Sequence, residues 1–136
     1  MRKFATAAMA VSLFIGGVGA SFAQSWHPVP KMETGGAVFS EATYTWWPKR
    51  KSHGGFQLKG RLTDTGPSDG HNVYVQAKVE SYSWRRFNGV QKRSVRLDKL
   101  LYDGAAQHTR KAWVRACRDR GSLRPDNCSV TKHYAR

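Results

Sequence analysis

Hydrophobic and polar residues alternate along much of the chain after residue 36, and the alternation is clearest between residues 56 and 63. Apolar or small residues occupy every second position there, and polar residues lie between them: Phe56, Leu58, Gly60 and Leu62 against Gln57, Lys59, Arg61 and Thr63. Successive side chains of a strand point to opposite faces, so this pattern predicts a β-strand with one face in a core.

Similar segments, separated by residues typical of turns, predict about six strands, at 37–47, 56–63, 71–86, 91–100, 107–118 and 128–134. Residues 97–102 are the one place where a single helical turn is an alternative. No segment has the pattern of an amphipathic helix. Six antiparallel strands within residues 37–136 favour an all-β fold, a small antiparallel β-sandwich, over a barrel.

The pair Asn88-Gly89 is the strongest turn signal, because a two-residue type I′ hairpin turn needs a positive φ at both central positions. Such a turn places Glu80 opposite Leu97, and it sets further charged residues against apolar ones. A shift of one residue reverses every side chain of a strand. We therefore expect a β-bulge within residues 82–86 that restores the apolar pairing.

The N-terminus has the order of a secretory signal peptide over residues 1–23. Two cations are followed by an apolar run over residues 4–18 and then by small residues, so we expect cleavage after Ala23, with Ala20 as the second choice. Residues 24–36, rich in Pro and Gly, are predicted to be an extended lead-in to a domain at 37–136. No other apolar run is long enough to hold the chain in a membrane, so the expected location is secreted and extracellular.

The sequence has two cysteines, Cys117 and Cys128. In an exported chain a lone pair at this spacing is expected to form a disulfide, which for a loop of this length contributes about 2–3 kcal/mol. A metal pair or a catalytic thiol is the less favoured alternative, because zinc prefers four closely spaced ligands and none cluster here.

The net charge is strongly positive. It is +14 for the whole chain, and removal of Arg2 and Lys3 with the signal peptide leaves +12 on the remaining 113 residues. Such a charge attracts polyanions in a salt-sensitive manner. Outside a cell these are teichoic-type wall polymers, acidic polysaccharide, nucleic acid and anionic lipid, although lipid binding favours an amphipathic helix that the sequence lacks.

Several short motifs carry a resemblance to a known group of proteins. They are Asp64-Thr65, Asp69-Gly70-His71, residues 73–77, residues 114–118 and the second cysteine. On these motifs the chain resembles the small secreted proteins of unknown function found in Streptomyces and related actinobacteria. The resemblance implies a secreted single domain with one disulfide, and it transfers no catalytic residue.

Two clusters combine aromatic rings with cations, which is a composition typical of surfaces that bind planar or sugar rings beside phosphate or carboxylate groups. The candidate binding residues are Trp46, Trp47, Lys49, Arg50 and Lys51 in the first cluster, and Trp84, Arg85 and Arg86 in the second. The structural alternative is that one of the two neighbouring tryptophans lies in the core, and that the cations only protect sheet edges from aggregation.

Enzymatic signals are weak. The sequence lacks the nucleophile elbow, the zinc-protease motif and the phosphate-binding glycine loop, and we expect no metal and no cofactor. Asp64 and Asp69 suggest a calcium loop, but without further oxygen ligands an Asx turn is favoured. The leading prediction is a non-enzymatic protein that binds an anionic polymer. The alternatives are an antibacterial or inhibitory protein and a ribonuclease-like enzyme, whose base, acid and phosphate ligand would be Glu80 or Glu41, His133 and Arg85.

Overall fold

A computed structural model describes residues 23–136, so all but the last residue of the predicted signal peptide lies outside the described residues. The described chain is all-β, with one 3₁₀ turn at Ser52–Gly54. Its ten strands are β1 (His27–Val29), β2 (Met32–Thr34), β3 (Ala37–Trp46), β4 (Phe56–Asp64), β5 (Val73–Val79), β6 (Arg85–Asn88), β7 (Ser94–Leu101), β8 (Lys111–Arg118), β9 (Asn127–Cys128) and β10 (Lys132–Ala135).

The strands form two antiparallel five-stranded sheets, which confirms the predicted fold class. Sheet A has the order β1-β3-β4-β7, with β2 also paired to β3. Sheet B has the order β10-β8-β5-β6, with β9 also paired to β8. The number of strands exceeds the predicted six because the predicted strand at 71–86 is divided into β5 and β6, and because β1, β2 and β9 are too short to show a period.

The core lies between the inner faces of the two sheets. Burial alternates residue by residue along β4, as its sequence pattern predicted. Sheet A contributes the largest fully buried side chains, including Phe39, Phe56 and Leu58, and sheet B contributes valines of β5 and β8. Each fully buried side chain of this kind contributes about 1.5–3 kcal/mol. One face of every long strand is committed to this core, so the opposite face is the surface on which a site can form.

The segment 24–36, predicted as an extended lead-in, supplies β1 and β2, and sheet A therefore begins before residue 37. β1 contains Pro28, which lacks a backbone N–H. The strand tolerates it because β1 lies at the edge of sheet A.

The predicted hairpin at Asn88-Gly89 is wrong. The third predicted strand instead breaks after Val79, where Glu80 has a φ of 50°, and the chain turns back so that β6 pairs with β5. After Asn88 the chain crosses to sheet A, where β7 pairs with β4, so Leu97 lies opposite Gly60 rather than Glu80.

Two further expectations about the same region are also wrong. No bulge interrupts residues 82–86, because residues 82–84 connect the turn to β6 and the first residues of β6 pair regularly with β5. The irregularity of sheet A lies in β3 between Ser40 and Thr43. The expected helical turn at 97–102 is absent, because residues 97–101 form the end of β7 and Tyr102 follows it without regular secondary structure.

The two cysteines form the predicted disulfide. Cys117 of β8 and Cys128 of β9 are directly opposite in the register, with their Cα atoms 4.0 Å apart. Asp64 and Asp69 each accept a hydrogen bond from the backbone N–H two residues later, at 2.9 and 2.8 Å, which is the Asx-turn arrangement that the sequence favoured.

Candidate functional site

The first predicted cluster, at the end of β3, is divided between the two faces of sheet A. Trp46 packs against the core, with its ring centroid 4.9 Å from that of Phe56. Trp47 is half-buried, and its Nε1 donates a hydrogen bond to Gln57 Oε1 at 2.9 Å. The structural alternative for this tryptophan pair is therefore confirmed for Trp46. The loop that follows exposes its three cations, Lys49, Arg50 and Lys51.

The second predicted cluster is also divided. Trp84 and Arg86 lie on the outer face of sheet B. Arg85 lies on the inner side at the sheet edge, where its guanidinium is 5.5 Å from the ring of Phe87. Arg85 also lines a cavity of about 270 Å³ between Val79, Tyr82 and Leu101. The structure thus keeps only two of these three residues on one surface.

The outer face of sheet B gathers aromatic rings and cations from four strands. Alternation along β5 directs Gln76 and Lys78 outward, because Val75, Ala77 and Val79 are buried in the core. The register then places Lys78 beside Trp113 of β8, and Trp113 beside His133 of β10. We name five of these side chains the aromatic–cation ladder: His133, Trp113, Lys78, Trp84 and Arg115.

Neighbouring members of the ladder are in contact across the strands. The His133 and Trp113 rings are stacked, with centroids 4.8 Å apart and planes 17° from parallel. Lys78 Nζ lies 5.0 Å from the Trp113 centroid and 5.1 Å from that of Trp84. The guanidinium of Arg115 lies 4.4 Å from the Trp84 centroid. Each contact lies within the range of cation–π attraction or ring stacking.

The spacing of the ladder determines which part of each ring faces solvent. The separation of the His133 and Trp113 rings equals the spacing of neighbouring strands, about 4.8 Å, and their planes are nearly parallel. The rings therefore stand upright on the sheet with their faces toward one another. Their edges, which carry the positive side of the ring quadrupole, point away from the sheet.

The cations of the ladder lack acidic partners. Within residues 23–136, neither Lys78 nor Arg115 has a carboxylate oxygen within 4.0 Å. Arg115 instead donates two hydrogen bonds to Gln76 Oε1, at 2.8 and 2.6 Å, which fixes the guanidinium without neutralising it. Two fixed positive charges therefore stay uncompensated on this face.

The outer face of sheet A differs in this respect. Lys59 pairs with Asp98 at 3.9 Å, and Arg61 pairs with Glu41 at 2.9 Å. Arg96 also reaches Glu41, at 3.6 Å. Cations are as frequent on this face, but carboxylates lie among them.

Ionisable groups that border the ladder keep definite charge states near neutral pH. A hydrogen bond from Arg86 is the largest of the effects that lower the pKa of Asp119, so this carboxyl stays ionised and offsets Arg86. Burial and a hydrogen bond to Asp126 raise the pKa of Tyr74 to about 12, so Tyr74 stays neutral. Arg86 is therefore compensated by Asp119, whereas Lys78 and Arg115 are not paired with a carboxylate among residues 23–136.

The residues considered for ribonuclease chemistry are not brought together as one set. Glu41 lies on sheet A and pairs with Arg61, whereas His133 lies in the ladder on sheet B. Glu80 lies beyond the end of β5, where its carboxylate accepts hydrogen bonds from the backbone of Arg110 and Lys111.

Sequence reasoning did not single out Lys78, Trp113 and Arg115 as candidate site residues, and it considered His133 only as a catalytic acid. A signal for the first three was present in the alternation of β5 and β8, which places Lys78 on the polar face and Trp113 two residues before Arg115. The contacts between them depend on the strand pairing, which a linear pattern does not contain.

Among residues 23–136, no group of three or more His, Cys, Asp and Glu side chains is arranged to hold a metal ion. The same residues contain no helix of the length and hydrophobicity needed to cross a membrane. No protein-family model, curated protein or solved structure matches this chain.

Proposed function

We propose that this chain is a secreted, non-enzymatic protein that binds an anionic extracellular or cell-envelope polymer, and that the aromatic–cation ladder is the main binding surface. The observation that carries the proposal is the pair of uncompensated cations: Lys78 lies between the indoles of Trp113 and Trp84, and Arg115 lies against Trp84. Placing like charges on one face without carboxylates costs free energy, and an anionic ligand removes that cost.

The geometry supports recognition of anionic oxygens more than stacking of planar rings. Each indole of the ladder already has a cation against its face, and Trp113 also has His133. A ligand above the sheet therefore meets ring edges and charged N–H donors. Phosphate, sulfate and carboxylate oxygens complement such a surface, since hydrogen bonds from charged donors are stronger than neutral ones.

Four further features support an exported polyanion binder. The signal-peptide pattern of residues 1–23 supports secretion, as does the disulfide, because disulfides persist in oxidising compartments. The net charge of the remaining chain steers anions toward the protein. The exposed cations Lys49, Arg50 and Lys51 provide a second region of positive charge for a long polymer.

The test compares two double variants that remove the same amount of charge from different faces. Retention on a poly(glycerol phosphate) matrix and on heparin is measured against salt concentration for wild type, for Lys78→Ala/Arg115→Ala, and for Lys59→Ala/Arg61→Ala. We expect the ladder variant to lower the slope of log K against log salt by about 1.4–1.8, which corresponds to two lost contacts. The sheet A variant is the control, and its slope stays close to that of wild type.

Two results contradict the proposal. If both variants lose the same amount of retention, net charge alone governs retention and there is no defined binding surface. Retention that does not fall with salt in the wild-type protein removes the electrostatic basis altogether.

A further inference from the structure

A second group of charged residues lies at one end of the sandwich, outside the aromatic–cation ladder. A cleft of about 390 Å³ opens there between the loop after β3, the turn after β5 and the loop before β8. It is lined by Lys49, Glu80, Asp103, Ala106, His108 and Arg110. At about 30 Å³ per water, it holds roughly a dozen waters and is larger than a single phosphate group.

The carboxylates of the cleft are engaged with the backbone. Glu80 Oε1 accepts hydrogen bonds from the N–H groups of Arg110 and Lys111. Asp103 Oδ1 accepts from the N–H groups of Ala105 and Ala106, at 2.9 and 3.0 Å, and also from the Tyr82 hydroxyl. These contacts hold the two loops in place, and they use one oxygen of each carboxylate.

The cations around the cleft are free of ion pairs. Among the residues the structure describes, Lys49, Arg110 and Arg136 have no carboxylate within 4.0 Å. All three lie close enough to His108 to lower its pKa by charge repulsion, an effect that adds to the larger one of burial, while Glu80 acts in the opposite direction. His108 is therefore neutral at neutral pH.

His108 also has an incomplete hydrogen-bond network. Its Nδ1 atom is buried and has no partner within residues 23–136. A neutral imidazole has one N–H donor and one acceptor nitrogen. Protonation adds a positive charge to the ring beside the three existing cations, and an anion in the cleft stabilises that charge.

We propose that this cleft binds a phosphate group, either as free phosphate or as the phosphodiester of a polymer, between Lys49, Arg110 and His108. Phosphate oxygens suit this arrangement because Lys49 and Arg110 line the cleft from different loops without an ion pair, while Glu80 and Asp103 each commit one oxygen to backbone N–H groups. The site is separate from the ladder and does not depend on the polymer-binding proposal.

The experiment follows the His108 imidazole by NMR, over pH and with added ligand, in the whole protein. One series uses inorganic phosphate and another uses a short glycerol-phosphate oligomer, so that free phosphate and phosphodiester are distinguished. We expect saturable binding of at least one of them, together with a rise in the pKa of His108. The groups that face this imidazole are Lys49, Arg110, Arg136, Glu80 and Asp103.

Matched variants locate the binding. Lys49→Ala is expected to weaken binding by about tenfold, because it removes one charged donor. Arg124→Ala, which removes an exposed cation of the disulfide loop outside the cleft lining, is the control and keeps wild-type affinity. Lys49 is exposed on a loop, so its substitution tests the site without removing a side chain from the core.

The proposal is overturned if neither ligand shifts the His108 signal in a saturable manner, or if Arg124→Ala weakens binding as much as Lys49→Ala does. The two proposals fail separately. The ladder variant Lys78→Ala/Arg115→Ala keeps phosphate affinity in the cleft, and Lys49→Ala leaves the contribution of the ladder to matrix retention intact.

Discussion

Arg136 connects the loops that surround the cleft, and its replacement gives the sharpest test of how that end of the molecule is held. Its Nε donates a hydrogen bond to the Thr109 carbonyl at 3.0 Å, and its Nη2 donates to the carbonyls of Trp47 and Gly54 at 2.8 and 2.9 Å. The guanidinium also lies 5.3 Å from the centroid of the Trp46 ring. One side chain thus fixes the backbone on both sides of the loop at 47–55 and the start of β8.

The size of the effect follows from these contacts. Hydrogen bonds from a charged donor contribute about 1.5–3 kcal/mol each. The three cannot be summed, because Arg136 is exposed and the released carbonyls can bind water. We expect Arg136→Ala to lower the free energy of unfolding by about 2 kcal/mol. Arg136→Lys keeps the charge but lacks the planar guanidinium that reaches three carbonyls. We therefore expect it to lower the free energy of unfolding by at least half as much as Arg136→Ala does.

The assay is urea unfolding of the two variants, combined with amide hydrogen exchange at Thr109, whose N–H donates to the Gly54 carbonyl at 2.9 Å. We expect faster exchange there in both variants. Arg124→Ala, which removes an exposed arginine of the disulfide loop, is the control and changes stability by less than about 0.5 kcal/mol. The role of Arg136 in holding these loops is refuted if Arg136→Ala loses as little stability as the control and the amide exchange at Thr109 is unchanged.

Three further results are expected. Gly60→Ala places a Cβ into the ring of Phe39 and should cost about 1–3 kcal/mol in urea unfolding, whereas Gly104→Ala, which meets open space, should be neutral; equal costs contradict this packing. The pKa of Tyr74 is about 12 in the folded protein and 10.0 in its unperturbed state, so its contribution to stability is complete below pH 10 and is lost as pH rises through 12. The melting temperature of Tyr74→Phe should therefore fall less between pH 10 and 12 than that of the wild-type protein. An equal fall excludes this tyrosine as a cause of the alkaline loss of stability. Reduction of the disulfide, which closes a loop of sequence separation 11, should cost about 3 kcal/mol in the same assay, and an unchanged melting temperature contradicts that value.

The sequence predicted those features that depend on a local period. β4 buries every second residue because Phe56, Leu58 and Leu62 face the core, and this alternation is legible in the sequence itself. The all-β class and the disulfide followed from similarly local information. The additional strands β1 and β2 were missed because three residues are too few to display a period.

The failure at Asn88-Gly89 has a physical explanation. Gly89 is not among the glycines with a positive φ, so it does not serve a hairpin turn. A Cβ there would lie 2.8 Å from Val73 Cγ2 and 2.9 Å from Leu62 Cδ2, which belong to different sheets. Glycine is needed because the chain passes closely between the sheets, and the sequence pattern does not distinguish this need from that of a turn.

The candidate site was predicted in composition but not in place. Sequence neighbours such as Trp46 and Trp47 point to opposite faces of a strand, so adjacency in the sequence separates them in the fold. In the ladder, residues that are distant in the sequence become neighbours in space. Trp113 and His133 are brought together by the register of β8 and β10. A surface of this kind can be identified only when the order and register of the strands are known.

Charge composition alone does not distinguish the two outer faces, since both carry lysine and arginine at alternating positions. They differ in where the few carboxylates lie: Glu41 and Asp98 neutralise sheet A, while Lys78 and Arg115 of sheet B have no carboxylate nearby in the described part of the chain. If the positive charge served only solubility, either face could lose two cations with the same consequence for retention on an anionic matrix. If the unpaired cations form a binding surface, the two double variants must differ although their net charges are identical. Any basic protein binds an anionic matrix in a salt-dependent manner, so the salt dependence of the wild-type protein cannot distinguish these two explanations. The comparison of the two double variants does distinguish them.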